Sequence, residues 1–213
     1  MERNYQISAV LSTPGDLECR TAFHEAGHAA AIHLRNKQQQ LPPIYFEIQI
    51  KRPLNGKGEF AAKVIDGNLT QNLPIAMLES FATLSGSQHH SCQLAYEADI
   101  INLLAGPLAE AKYIALRDGA GFDLKFASIQ NLTNFGGLTD VERVYEYLEY
   151  FIAARILREQ ALQTLWEQAF LFVNHPQNWQ GIFSLAQHIL LSRQEIICCD
   201  EAIMVLDKAT LLA

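Results

Sequence analysis

Two hydrophobic periods divide this chain, one of about 3.6 residues and one of two. The segment DLECRTAFHEAGHAAAIHLRNK contains no proline and a single interior glycine, Gly27. It predicts a helix beginning near Asp16, which follows Pro14-Gly15 and can cap the first turn. Next, PPIYFEIQIKR places Ile44, Phe46, Ile48 and Ile50 at every second position, the signature of a half-buried strand. The stretch NGKGEFAAKVIDGN supplies a turn and a second strand, so a β-hairpin is predicted.

Everything after that predicts helix. LTQNLPIAMLESFATLS, residues 69–85, reads as one helix with Pro74 near its first turn. A longer one spans 89–119, where Gly106-Pro107 predicts a kink or a restart. A loop from Gly119 to Gly137 follows. Thr139 and Glu142 have the spacing of a capping box and open a helix over 139–175, which Pro176 ends. Two more helices are predicted over 177–192 and 193–213, the second with Ser192 and Glu195 as its capping box. The pattern is that of a mainly α (α+β) chain with a small β-hairpin or sheet and a C-terminal helical bundle. We expect one domain over 1–213. Residues 1–118 carry the first helix, the hairpin and the helices after it, and 138–213 form the C-terminal helical part.

Composition narrows the classes. The chain has 213 residues, 49% hydrophobic and 18% charged, which suits a globular soluble protein. A formal net charge of -7, with no Lys/Arg cluster, argues against nucleic acid as a partner. No apolar run reaches the roughly 18 residues a membrane span needs, and the first residues lack the apolar core of a signal peptide. Cys19, Cys92, Cys198 and Cys199 show no metal-ligand spacing; buried thiols in a reducing compartment, the cytosol, are expected.

The chemistry concentrates in His24-Glu25-Ala26-Gly27-His28. Two histidines one helical turn apart project from one face, so their imidazoles can reach a single ion, and neutral nitrogen at that spacing suits Zn2+. Glu25, beside the first ligand, is placed to take a proton from a zinc-activated water. A catalytic zinc needs a third protein ligand. The metzincin pattern fails, because Leu34 stands where its third histidine would be and His33 is one residue early. Glu47, Glu97, Asp99 and Asp140 are all carboxylates to consider. His89 and His90 are read as a solvated loop, and Trp166 and Trp179 as helix-packing core.

TAFHEAGHAAAI resembles the zinc helix of the FtsH-type peptidases. IYFEIQIKR with GKGEFAAKVID is similar to that family's strand pair, and LLAGPLAEAKY to its Leu-Gly-Gly-Arg-Ala-Ala-Glu helix, with Glu110 at the final position. FGGLTDVERV resembles the segment that supplies an aspartate ligand at the start of a long helix, and SLAQHILLSRQEIICCDEAIMVL the C-terminal helix pair. The resemblance implies a helical, zincin-like peptidase fold, with His24, His28 and Asp140 as zinc ligands and Glu25 as general base. The chain departs from it in carrying no GxxxxGK[ST] phosphate loop and no membrane anchor, and in having Pro107 where the family has arginine.

The expected function is therefore ATP-independent zinc metallopeptidase activity on peptides or unfolded chains, with homo-oligomer formation compatible. The strand around Ile44 to Lys51 is the expected edge for pairing with an extended substrate. Two alternatives use the same residues: a zinc-stabilised, non-catalytic helical interaction module, and a hydrolase of some other amide or ester.

Overall fold

The small side chains of the first helix dictate how the rest packs around it. The protein is described here by a computed structural model covering residues 14–52, 59–74, 78 and 86–211. Helix α1 (Pro14–Ala30) continues through a π-helical turn (Ala31–Arg35) into a short α segment (Asn36–Gln38). Ala22, Ala26, Ala29, Ala30 and Ala31 are wholly buried. At Gly27 a Cβ atom would stand 2.5 Å from the Ala105 carbonyl oxygen and 2.7 Å from the Ala109 Cβ. The helix crossing is thus closer than any other residue would permit.

The partner in that crossing is α2 (Gly86–Arg117), whose residues from Ala98 to Lys112 are all buried. It runs through Pro107 without the break predicted there. The proline removes one helical hydrogen bond, to the Leu103 carbonyl, and packing on every side outweighs that loss. His89 and His90 lie in the first turns of α2 rather than in a loop.

The predicted strands form as β1 (Phe46–Lys51) and β2 (Ala61–Asp66), antiparallel, with Phe46 opposite Asp66 and Lys51 opposite Ala61. Phe46, Ile48 and Ile50 point into the core, as their alternation predicts. The predicted turn at 55–58 lies outside the described residues. A third strand, β3 (Ile196–Ile197), pairs on the far side of β1, with Ile197 opposite Ile48, so the order is β2-β1-β3. The expected edge strand is therefore the middle of the sheet, and among the described residues the longer edge strand is β2. β3 was hidden because RQEIICC reads equally as the start of a helix. The Ser192–Glu195 capping box does not form: Ser192 Oγ accepts from the Gln194 amide at 3.1 Å, and the last helix, α6 (Cys199–Leu211), starts later.

The predicted helix over 139–175 is two helices, α3 (Leu138–Phe151) and α4 (Arg155–Asn174). Unbroken, it would extend about 55 Å at 1.5 Å per residue. Broken, both halves lie against α2. Arg158 Nη1 donates to the Ile152 and Ala153 carbonyls at 3.1 and 3.2 Å, taking up acceptors that the break exposes. Gly137 is the N-cap of α3, so Thr139 lies inside the first turn and the Thr139–Glu142 box is not made. Pro176 ends α4 as expected, holding His175 extended after Asn174, and it also opens α5 (Pro176–Leu191) at a position where its missing N–H costs nothing.

The result is a mainly helical protein with a small antiparallel sheet. One apolar core joins both parts, from Phe23 and Ile48 through Leu104 and Val144 to Trp166, Ile182 and Leu206. Trp179 stacks on Phe23 at 5.5 Å between centroids, and Trp166 donates to the Ala127 carbonyl at 3.0 Å. The four thiols are free, and Cys198 is exposed rather than buried. Among the described residues no helix is long and apolar enough to cross a membrane.

Of the helix predicted over 69–85, Leu69–Asn72 is a 3-10 turn; residues 75–77 and 79–85 lie outside the described set. Asp99 fixes that turn. Its carboxylate is fully buried and accepts from the Leu69 amide at 2.7 Å, the Thr70 amide at 3.0 Å and the Thr70 hydroxyl at 2.7 Å. Tyr147 of α3 donates its hydroxyl to the same carboxylate at 3.3 Å. Burial pushes the Asp99 carboxyl up, against the pull of these hydrogen bonds. Asp99→Ala would leave three buried donors unpaired, and urea titration should show a loss of about 3 kcal/mol or more, with a smaller loss for Asp99→Asn.

Candidate metal centre

His24 and His28 lie on the inner face of α1, each 8% exposed. Their ring centroids are 4.8 Å apart and the rings are inclined at 72°. Asp140, in the first turn of α3, meets both: its Oδ2 is 3.0 Å from His24 Nε2 and its Oδ1 is 3.6 Å from His28 Nε2. The ligand atoms of all three fall within 4.8 Å of one another. Residues separated by more than a hundred positions in sequence thus converge.

Each imidazole is held by its other nitrogen. His28 Nδ1–H donates to the Asn102 carbonyl of α2 at 2.7 Å. His24 Nδ1–H donates to Glu110 Oε2 at 3.1 Å, and Glu110 Oε1 in turn accepts from Arg20 Nε at 2.8 Å. Anchoring Nδ1 leaves both Nε2 atoms aimed toward the carboxylate, the arrangement that orients metal-binding histidines. Behind His28 the backbone of α2 has no side chain: a Cβ on Gly106 would be 2.3 Å from His28 Nε2. The side-chain amide atoms of Asn102 are buried with no hydrogen-bond partner, so Asn102 serves the site through its carbonyl.

Electrostatics bind the three groups tightly. Burial alone would lower the His24 imidazole, but hydrogen bonds to Asp140 and Glu110, with the charge of Glu25, raise it from 6.5 to about 10. Burial would likewise raise Asp140, and the two imidazoles more than reverse it, holding that carboxyl well below the usual carboxylate range. The donor set fits a metal. Two nitrogens and a carboxylate oxygen on one point suit zinc, and also other first-row divalent ions.

Glu25 is 9% exposed, and its Oε2 accepts from the Val64 amide of β2 at 2.6 Å. A cavity of about 360 Å³ opens beside it, walled by β2, the 66–68 segment, α2 and the start of α3, and including Ile32, Thr139 and Arg143.

The other carboxylates are committed elsewhere. Glu47, on β1, accepts from Tyr45 Oη at 3.0 Å and Gln49 Nε2 at 2.8 Å. Glu97 accepts from Gln93 Nε2 at 2.8 Å, and Asp99 holds the 3-10 turn. His33 turns away to Asp207 of α6 at 2.8 Å, and Leu34 is buried. Among the described residues His24, His28 and Asp140 form the single cluster suited to a metal. Sequence reasoning gave no role to Glu110 or Arg20. A glutamate inside the apolar run LLAGPLAEAKYIAL was the available signal, since a buried carboxylate must find partners.

Asp140→Ala should lower the zinc content of purified protein to near zero while leaving the fold intact, checked by metal analysis and circular dichroism. The raised His24 value also sets a pH dependence. Below about pH 10 the proton on Nε2 must leave before a metal can enter. Zinc affinity should therefore rise with pH, by about tenfold per unit for one released proton, as a competition titration between pH 6 and 8 would read. The metal-free protein behaves oppositely, its His24 contribution to stability being whole below pH 6.5 and lost as pH climbs toward 10.

No protein-family model matches this chain, and a search of curated proteins finds no match to it.

Proposed function

We propose that this chain is a zinc-dependent metallopeptidase with a zincin-like, FtsH-type active centre, acting on peptides or unfolded chains. The observation that carries the reading is the position of Glu25: a carboxylate beside two co-directed imidazoles, at the wall of an open cavity. A site serving stability alone needs no such base and is ordinarily closed by four protein ligands.

A divalent cation bound by His24, His28 and Asp140 would supply Lewis-acid activation, lowering the pKa of water to about 7. The chain's own residues would do the rest. Val64 N–H fixes one oxygen of Glu25, leaving the other to accept a proton from the attacking water and deliver it to the departing amine. The pairs His24–Glu110 and His28–Asn102 hold the imidazoles in the tautomer that presents Nε2. The outer edge of β2, unpaired with any other strand among the described residues and with Ala62 and Lys63 on the cavity wall, offers an extended chain main-chain pairing alongside Glu25.

The test is turnover of casein or of a fluorogenic peptide library by zinc-loaded protein. Glu25→Gln should cut kcat/KM by about a thousandfold with zinc content unchanged. Equal turnover in that variant would remove Glu25 as the base. Chelation that lowers thermal stability, with no hydrolysis at any stage, would favour the non-catalytic module instead.

A further inference from the structure

Within the same cavity Arg143 has no counterpart among the described residues. Arg143 lies one helical turn beyond Asp140 on α3, lines the cavity and is only partly exposed. It makes no hydrogen bond or ion pair with any described residue, although Asp140 precedes it by three positions and Glu146 follows it by three. Of the three acidic groups lining the cavity, two are engaged and one is exposed. Asp140 faces the imidazoles, Glu25 takes the Val64 amide, and Asp66 sits at the exposed end of β2. Lys63 adds a second positive charge on the β2 side of the same cavity.

A partly buried arginine that lines the cavity without an acceptor among the described residues presents a planar fork that matches a carboxylate bidentately. Glu25 and Asp140 would balance a divalent ion, so Arg143 and Lys63 against Asp66 leave the cavity positive. Resting on the metallopeptidase reading, we propose that Arg143 is a specificity-determining residue that receives a carboxylate of the substrate. The preferred peptides then carry either an acidic side chain or the free C-terminus close to the bond that is cut.

The experiment uses zinc-loaded protein and matched fluorogenic peptides, with Glu or Gln beside the cleaved bond and a free or amidated C-terminus. The wild type should favour one carboxylate-bearing form by about thirtyfold in kcat/KM, and which form it is separates the side-chain source from the terminal one. Arg143→Gln should erase that difference, Arg143→Lys should keep part of it, and Arg143→Glu should shift the preference to a lysine-bearing peptide. Metal analysis of each variant checks that the centre is intact. Calorimetric binding of the same peptides to Glu25→Gln, with and without Arg143→Gln, reads the preference independently of turnover. If the wild type has no carboxylate preference in rate or binding, or if Arg143→Gln depresses both peptides of a pair equally, the assignment is wrong. Absence of all hydrolysis alongside a carboxylate preference in binding would instead count against the peptidase reading and for Arg143.

Discussion

Two helices can present an imidazole to a neighbouring backbone carbonyl only when nothing larger than hydrogen stands between them. Here α1 and α2 meet at Gly27 against Ala105, and again at Gly106 against the ring of His28. The same approach places the Asn102 carbonyl 2.7 Å from His28 Nδ1 and Glu110 3.1 Å from His24 Nδ1. One helix therefore carries the two imidazoles and the other carries what orients them. A side chain at either glycine would part the helices, and both anchors would fail together. This explains why the HEAGH segment sits among alanines: the bareness of α1 allows the close crossing, and the crossing aims the imidazoles.

How much of this was legible in the residues depends on the range of the interactions. The first helix, the alternating strand β1 and the His24–Glu25–His28 face follow from local periodicity, and their spacing survives in three dimensions. The failures cluster where tertiary contact overrides a local signal. Pro107 sits in an unbroken α2 because buried packing on all sides tolerates one lost hydrogen bond. FIAAR contains no helix breaker, yet the chain turns there so that α3 and α4 can both cover α2. Ile196 and Ile197 join β1 in place of a helix, since Ile48 offers Ile197 a buried partner. Asp140 could be reached only through a family resemblance, because nothing in its neighbourhood announces two histidines more than a hundred residues away. Glu110 was signalled only by its place in an apolar run, while Arg20 and Arg143 depend on contacts, or on the lack of them, that no local pattern encodes.

Electrostatics give the centre a second kind of order. In the metal-free state His24 faces a carboxylate at each ring nitrogen and so holds two protons, while Asp140 stays ionised between the rings. A cation approaching Nε2 meets geometry already assembled, and the imidazolium proton acts as the placeholder that keeps Asp140 near the histidines. The cluster of His24, His28 and Asp140 is thus assembled whether a proton or a metal would sit at its centre.

The third helix joins these constraints to recognition. Along α3, Asp140, Arg143 and Tyr147 recur at intervals of three and four, which places them along one side of the helix. Asp140 closes the centre, Arg143 lines the cavity, and Tyr147 reaches the buried Asp99 that fixes the turn after β2. That turn follows directly on residues 66–68 of the opposite cavity wall. Asp140, Arg143 and the rim are therefore not independent parts. A rotation of α3 by one residue, about 100°, would withdraw all three together. Rigidity at the Asp99 clamp is in this sense a condition for the proposed chemistry, although Asp99 does not line the cavity. The site's precision rests on an element with its own polar anchor at one end and its apolar face, Val141, Val144 and Leu148, in the core.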